Sequence, residues 1–290
     1  MYRKILIPLD GSKLAEDVLP YAKYLAANLQ LPLDLMHVRD PETTAMSIDT
    51  MGEANYLQQI AATLPTSLSV NCSVKTGRAP EAIVDTASKD AATLIAMATH
   101  GRSGAQRWLL GSVTQKVLRG SINPLLVIRP KDEGQPAAEI RLSSIILPLD
   151  GSHLAEKIFP HVVYLAKCLK LEVVLIRAYT LPTTGYYMST GVLPPVIGEL
   201  GANVRQEATD YLRSKTEELQ AEGITKVSFV AEEGKGPEAI IDLARKTPHS
   251  FVAMSTHGRS GMGRWVLGSV TDRVVCYCDA PVLVIRPASS

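Results

Sequence analysis

The sequence lacks the cysteine spacing of a metal or redox protein. Its four cysteines are Cys72, Cys168, Cys276 and Cys278, and no two of them have the spacing of a zinc knuckle or a CxxC motif. It also lacks a charged-then-apolar leader, and no apolar run approaches the roughly 18 residues that a bilayer requires. We therefore expect inert thiols, a cytoplasmic location and no membrane partner.

The sequence has little net charge and no familiar catalytic motif. Its 30 basic and 29 acidic residues give a net charge of +1, so no basic stripe is available for nucleic acid. A P-loop lysine and a Gly-x-Ser-x-Gly elbow are both missing, and no paired carboxylates or histidine-rich cluster with metal spacing stands out. We expect no nucleic-acid partner, no protein metal site, and at most slow hydrolysis without a dedicated base.

What the sequence does contain is one segment present twice. Residues 97–114 (MATHGRSGAQRWLLGSVT) return almost unchanged as residues 254–271 (MSTHGRSGMGRWVLGSVT). Each copy follows a short apolar run and leads into a helical pattern, which is the order strand, glycine-rich loop, helix start. A helix start attracts anions, usually phosphate, through its free backbone N–H groups and partial positive charge.

Small residues in this segment favour a phosphate site. A glycine permits positive φ and lets a phosphate approach the main chain, and the segment places glycines at Gly101, Gly111, Gly258 and Gly268. Ser112 and Ser269 are predicted to place a hydroxyl at the capping position of the helix that follows.

Apolar runs alternate with helical patterns along the first half. Strands are predicted at residues 4–9, 33–38, 68–74, 93–97 and 124–130. Ser12 is predicted to cap the first helix and Pro20 to bend it. The alternation predicts a doubly wound α/β domain, in which helices cover both faces of a parallel sheet.

The same order of elements starts again after a linker, and 290 residues leave room for about two domains. Residues 148–152 repeat residues 8–12 at an offset of 140, whereas residues 234–240 repeat residues 77–83 at an offset of 157. We predict a first domain at 1–130, a linker at 131–143 and a second domain at 144–290, with the 17 extra residues near 180–201. A long loop of this kind either covers a site or the partner half, or is a tolerated insertion.

These motifs, in the same order twice, resemble the universal stress protein family. The resemblance rests on three motifs, each present in both halves. They are Pro-Leu-Asp-Gly-Ser at 8–12 and 148–152, the Thr-His-Gly-Arg-Ser-Gly loop followed by Gly-Ser, and the Val-Ile-Arg-Pro that ends each half. The resemblance implies two tandem five-stranded, Rossmann-like domains of the adenine nucleotide alpha hydrolase-like type. It also implies that ATP is held by a Gly-x2-Gly-x9-Gly-Ser/Thr signature, whose first glycine is replaced here by Ala98 and Ser255.

The resemblance implies that matched residues in the two halves bind the nucleoside part of ATP. Asp10 and Asp150 would accept the ribose hydroxyls, a role that suits a carboxylate. Alternatively, each aspartate stabilises a turn, in which its carboxylate accepts a hydrogen bond from the backbone amide two residues later. Side chains or backbone near the adenine would come from Pro8, Val38, Pro148 and Ala178.

The resemblance places the other nucleotide-binding residues in the repeated segment. Its glycines, serines and valines would cradle the phosphates with help from the threonines, and Ala98 and Ser255 would lie against the ribose. In the first half these residues are Met97, Ala98, Gly101, Arg102, Gly111, Ser112, Val113 and Thr114. In the second half they are Met254, Ser255, Gly258, Arg259, Gly268, Ser269, Val270 and Thr271. Alternatively, Arg102 and Arg259 are exposed to solvent and do not contact the phosphates. A bound Mg²⁺ would be held mostly by the phosphates and water.

The remaining side chains of the repeated segment have less defined roles. His100 and His257 could be phosphate contacts, general bases or structural donors. Trp108 and Trp265, the two tryptophans of the chain, are expected to pack in the core or at an interface.

The last strand of each half bears on assembly. Residues 124–130 and 281–287 are apolar and flanked by prolines, and an exposed edge of this kind invites pairing. The resemblance implies that the two halves pair through these strands across a pseudo-two-fold axis, with a homodimer of chains as a further expectation.

Three functions remain open on the sequence. The first is an ATP-binding stress-response module that shifts its surface toward a regulatory protein partner. The second is a nucleotide-free structural stress protein. The third is an enzyme that slowly hydrolyses ATP or transfers an adenylyl or phosphoryl group.

Overall fold

The computed structural model describes residues 1–41, 50–100, 110–130, 139–180, 196–256 and 267–287. Within these ranges, the side chains of 50, 51 and 196–200 are not described. Predictions for several residues therefore fall outside the described part of the chain, namely Gly101, Arg102, Trp108, His257, Gly258, Arg259 and Trp265.

The first half contains five strands and five helices within the described residues. In chain order they are β1 (Lys4–Pro8), α1 (Lys13–Glu16), α2 (Leu19–Leu29), β2 (Leu33–Arg39), α3 (Thr50–Thr63), β3 (Val70–Thr76), α4 (Ala79–Ser88), β4 (Thr93–Ala98), α5 (Ser112–Gly120) and β5 (Leu125–Ile128).

The second half repeats this order. Its elements are β6 (Ser144–Pro148), α6 (His153–Glu156), α7 (Phe159–Leu169), β7 (Glu172–Tyr179), α8 (Val196–Ala221), β8 (Val227–Glu233), α9 (Gly236–Lys246), β9 (Ser250–Ser255), α10 (Ser269–Tyr277) and β10 (Val282–Ile285).

The strands of both halves form one ten-stranded sheet in the order β3-β2-β1-β4-β5-β10-β9-β6-β7-β8. Neighbouring strands are parallel within each half, and β5 pairs with β10 in the antiparallel direction. The prediction of two doubly wound parallel sheets is confirmed, as is the pairing of the halves through their last strands.

Helices cover both faces of the sheet, which explains the nearly continuous apolar strands. One apolar layer lies beneath α2, α3, α7 and α8 and includes Leu25, Leu57, Leu165 and Leu212. The other lies beneath α4, α5, α9 and α10 and includes Ile83, Val117, Ile240 and Val274. All six residues of β4 are buried, as expected for a central strand.

The start of the first helical region differs from the prediction. Ser12 does cap α1, since its hydroxyl accepts a hydrogen bond from the Ala15 amide. However, Pro20 does not bend one long helix, because the chain forms two helices and Pro20 lies in the first turn of α2. Proline is tolerated there because the first-turn N–H groups have no partner within the helix.

The insertion of the second half is partly helical. We predicted a break in periodicity up to about residue 201, but α8 begins at Val196 and has 26 residues where α3 has 14. Residues 181–195, like residues 131–138 of the predicted linker, lie outside the described ranges.

Candidate functional site

Each half has a cleft at the carboxyl ends of its parallel strands, the place where open α/β sheets bind ligands. The first cleft has a volume of about 240 Å³ and the second about 280 Å³. The ends of β1, β2 and β4 and the starts of α4 and α5 line the first cleft, and the matching elements line the second.

The clefts bring together the predicted site residues that the structure describes. The first is lined by Pro8, Asp10, Val38, Met97, Ala98, Gly111, Ser112, Val113 and Thr114. The second is lined by Pro148, Asp150, Ala178, Met254, Ser255, Gly268, Ser269, Val270 and Thr271. Their roles toward a nucleotide stay predictions, but their common location agrees with one site per half.

The start of α5 presents unpaired backbone amides to the first cleft. Gly111 is the N-cap, and its carbonyl accepts the first helical hydrogen bond from the Gln115 amide at 2.9 Å. The N–H groups of Ser112, Val113 and Thr114 have no acceptor among the described residues. Backbone donors of this kind at the positive end of a helix attract anions.

The capping residue is glycine, which corrects the prediction for Ser112 and Ser269. Both serines are the first residues of their helices, and the preceding Gly111 and Gly268 are the N-caps. Among the described residues, no side chain bonds to the amides at either helix start. Consequently a ligand does not have to displace a capping hydroxyl.

Gly111 is required by a close approach and not by positive φ. Its φ is −57°, its N–H donates to the Thr99 carbonyl at 2.8 Å, and a Cβ would lie 2.7 Å from that oxygen. Gly268 repeats the arrangement with a φ of −59° and a 2.9 Å bond to the Thr256 carbonyl. The positive φ that glycine permits is therefore not adopted by Gly111 or Gly268, and glycine is needed because the strand end packs directly against the helix start.

The Asp10 side chain forms a turn at the edge of the cleft. Its Oδ1 accepts hydrogen bonds from the Ser12 amide at 3.0 Å and the Ser12 hydroxyl at 2.6 Å. Asp150 repeats both bonds with Ser152, at 2.9 and 2.6 Å. The prediction that each aspartate forms a turn is therefore confirmed. The same hydrogen bonds hold each carboxylate in place in its cleft.

The threonine hydroxyls are already engaged. Thr114 Oγ1 donates to the Ala98 carbonyl at 2.8 Å, and Thr271 Oγ1 donates to the Ser255 carbonyl at 3.0 Å. Both side chains are buried and tie the helix start to the end of the central strand. The hydroxyls are therefore engaged in structural hydrogen bonds, and a contact of these residues with phosphate, which stays a prediction, would fall to their backbone amides.

His100 lies in the first cleft with one ring nitrogen bonded locally. Its Nδ1 is 3.0 Å from Thr99 Oγ1, whereas its buried Nε2 has no hydrogen-bond partner among the residues that the structure describes. A buried polar atom without a partner is costly, so a ligand atom that bonds Nε2 would be stabilised here.

An apolar end of each cleft was missed by sequence reasoning. Met36, Ala79 and Ile83 line it in the first half, and Ile176, Gly236 and Ile240 in the second. The available signal was the repeated start of the third predicted helix, residues 77–83 and 234–240. The sequence alone does not place this segment in the site, because only the sheet topology brings it beside the end of the second strand.

A tyrosine and a glutamate pair beside each aspartate-bearing turn. Tyr211 donates to Glu156 Oε1 at 2.8 Å, and Tyr56 donates to Glu16 Oε1 at 3.2 Å. Burial first, and then Glu156, raise the pKa of Tyr211 well above its usual value. This phenol therefore stays protonated and acts as a donor.

The described residues offer neither a metal-binding cluster nor a membrane-spanning helix. Among the described ranges, no group of three or more His, Cys, Asp or Glu side chains is arranged to hold a metal ion. No helix there is both long and apolar enough to cross a membrane.

Comparison with known proteins gives a consistent family. The model of the universal stress protein family matches residues 1–129 and again residues 142–286. A universal stress protein of Mycolicibacterium smegmatis is 23% identical over 98% of this chain and 97% of its own length. One from Methanocaldococcus jannaschii is 30% identical over 49% of this chain and 81% of its own.

Solved structures share the fold over nearly the whole chain. A universal stress protein from Archaeoglobus fulgidus has a TM-score of 0.71 at 19% identity, covering 99% of this chain and 97% of that one. A Pseudomonas aeruginosa protein described as functionally unknown has a TM-score of 0.68 at 18% identity, covering 99% and 93%. At these identities the likeness concerns the fold alone.

Proposed function

The chain belongs to the universal stress protein family, and from this premise we propose that each half binds one adenine nucleotide, ATP, in its cleft. The observation that carries the proposal is the helix start inside each cleft. Three backbone amides at the start of α5 have no acceptor among the described residues, and no described side chain caps the start of α5 or of α10. Such a start binds phosphate.

The other end of each cleft suits a nucleoside. Asp10 and Asp150 follow β1 and β6, which in the sheet lie between the strand that precedes each helix start and the strand that carries Met36 or Ile176. A carboxylate at this position can accept the ribose hydroxyls. Met36, Ile83 and their counterparts offer apolar surface to a flat base. Phosphate, sugar and base would thus lie in this order from α5 toward β2.

The proposed role is a nucleotide-responsive module with a regulatory protein partner. α5 begins at the proposed phosphate site, and the guanidinium of Arg286 donates to the carbonyls of Leu118 and Arg119 at its other end. Arg286 follows β10 of the second half. A shift of α5 on nucleotide binding would therefore be transmitted to the other half.

Turnover is proposed to be slow. No P-loop lysine is present in the sequence, so the point charge that such enzymes place on the phosphates is lacking. Mg²⁺, when present, would be held through the phosphates and water, because no ligand cluster occurs among the described residues.

A thermal shift experiment tests the binding proposal. ATP at a hundred times its Kd should stabilise the protein by about 2.7 kcal/mol for each site that it fills. The matched control is the double variant Asp10→Asn with Asp150→Asn, whose amide oxygens preserve the turn bonds but accept the ribose poorly. It should melt near the wild-type temperature without ligand and lose most of the shift. No shift of the wild type with millimolar ATP would favour a nucleotide-free structural protein.

A further inference from the structure

The two clefts share most of their lining residues. Those that follow β1 and β6 and those that begin α5 and α10 are identical in the two halves. His100 lines the first cleft, and its counterpart lies outside the described residues. Among the other lining residues four matched pairs differ, namely Met36 and Ile176, Val38 and Ala178, Ala79 and Gly236, and Ala98 and Ser255.

Two of these four exchanges make the second cleft wider. Ala178 lacks two methyl groups that Val38 has, and Gly236 lacks the one methyl group of Ala79. The other two exchanges nearly conserve size, because methionine and isoleucine have equally many non-hydrogen side-chain atoms and serine exceeds alanine by one oxygen. The cleft volumes agree, since the second is larger by 40 Å³ (280 minus 240).

The missing methyl groups border the open space of the second cleft. The Val38 side chain packs with Met36 against the apolar layer beneath α4, which is the face of the sheet on which the first cleft lies. Ala178 has the same position in the second half. A Cβ on Gly236 would lie 3.8 and 3.9 Å from the two methyl groups of Val270, a lining residue of the second cleft.

The backbone does not require the two small residues. Gly236 is not among the residues with positive φ, and its added Cβ would make only ordinary contacts with Val270. Alanine is the better helix former at this position, and valine is the better strand former at position 178. Both exchanges therefore give up local stability and leave space in the cleft, which a larger ligand would fill.

The end of the second strand orients the base toward this space. β1 pairs with β2 only as far as Met36, and β6 pairs with β7 only as far as Ile176. The N–H and C=O groups of Val38 and Ala178 that point in the same direction therefore lie beyond the last strand pair. A neighbouring donor and acceptor match the ring nitrogen N1 and the amino group of adenine. The amino group of a bound adenine would thus lie beside the residue that differs most in size.

We infer that the second cleft accepts adenine nucleotides whose amino group carries a small alkyl substituent, and that the first cleft excludes them. Val38 and Ala79 exclude the substituent, because extra carbons in a filled site force neighbouring groups apart. Ala178 and Gly236 admit it. The inference rests on the proposed function, since it assumes that both clefts bind adenine nucleotides.

Calorimetry with ATP and with N⁶-propyl-ATP tests the inference. The propyl group has three carbons, as many as the methyl groups that the second cleft lacks. Asp150→Asn leaves the first cleft to bind, and Asp10→Asn leaves the second. We expect the analogue to bind at least about tenfold more weakly than ATP in the first cleft and within about threefold of ATP in the second.

Exchanging the two differing residues between the clefts should exchange this preference. Val38→Ala with Ala79→Gly, in the Asp150→Asn protein, should bring the analogue to within about threefold of ATP. Ala178→Val with Gly236→Ala, in the Asp10→Asn protein, should weaken the analogue at least about tenfold relative to ATP. The second pair restores the better strand and helix formers, so it tests the inference even if the first pair fails to fold.

Met36→Ile is the matched control in the first cleft, because it changes a lining residue without changing its number of non-hydrogen atoms. It should leave the ratio of the two Kd values within about twofold. The inference is overturned by equal ratios in the two clefts, by a second pair of exchanges that leaves the ratio unchanged, or by Met36→Ile alone opening the first cleft. Failure of both single-site proteins to bind ATP itself would instead refute the proposed function.

Discussion

Leu126 pairs with Leu283 where β5 meets β10, and the two leucines are the same position of the repeat, 157 residues apart (283 minus 126). The flanking pairs are Val127 with Val282 and Leu125 with Val284. Exchanging the two halves leaves this pattern unchanged, so a pseudo-two-fold axis passes between Leu126 and Leu283. The chain thus pairs with itself as two subunits of a symmetric dimer would.

The first prediction concerns this contact. Leu126→Ala and Leu283→Ala should each lower the free energy of unfolding by about 2–5 kcal/mol, because both side chains are buried. The two losses should be similar, since the sites are equivalent, and the double variant should depart from additivity because the residues are neighbours. Urea unfolding measures all three. Ile122→Ala, at a side chain that is 62% exposed, is the control and should change stability by less than about 0.5 kcal/mol.

The second prediction concerns the close approach at the helix start. Gly111→Ala would place a Cβ 2.7 Å from the Thr99 carbonyl oxygen, so α5 has to move. We expect the first nucleotide site to lose at least about tenfold in affinity, while the second is unchanged. Gly120→Ala is the control on the same helix, because its Cβ would lie 3.6 Å from Val84, an ordinary contact. Equal effects of the two variants on ATP binding would refute the role assigned to Gly111.

The third prediction concerns the serine that joins cap and carboxylate. Ser12 Oγ donates to Asp10 and accepts from the Ala15 amide, so Ser12→Ala removes both bonds. Loss of a helix N-cap typically costs about 1 kcal/mol of stability. ATP affinity at the first site should fall as well, since Asp10 loses part of its support. Ser152→Ala should do the same for the second site. Unfolding and calorimetry measure the two effects, and a stability loss without any change in affinity would contradict the positioning role.

A feature of the fold or of the site could be predicted from the sequence where neighbouring residues determine it, and could not where residues distant in the chain do. The alternating strands and helices follow from apolar periodicity, and the repeat of Asp10 and Asp150 follows from inspection. The glycine caps could not be predicted, because Gly111 is required by the Thr99 carbonyl, which reaches it only through the packing of β4 against α5. The apolar ends of the clefts were missed for the same reason, since their residues come from separate elements.

The fourth prediction concerns pH. Burial, and secondarily the positive charge of the N-terminal amine, lower the pKa of His161 to about 4, and its neutral Nδ1 accepts a 2.7 Å hydrogen bond from Tyr2. An unfolded histidine has a pKa near 6.5, so the unfolded state binds the proton first as pH falls. The neutral His161 side chain therefore stabilises the folded state fully above pH 6.5. As the pH falls from about 6.5 to 4, the free energy of unfolding decreases by up to about 3 kcal/mol.

The variant His161→Asn isolates this effect. Its amide oxygen can accept the Tyr2 hydrogen bond without titrating, so unfolding free energies measured between pH 7 and 4.5 should fall less steeply than in the wild type. Identical slopes for the two proteins would show that His161 is not protonated selectively on unfolding.

The measurement that tests the central claim most directly is the number of ATP molecules bound per chain, determined by calorimetry. The account predicts two sites, one removed by Asp10→Asn and the other by Asp150→Asn. A chain that binds no ATP, or that binds it equally well when both aspartates are replaced, would contradict it.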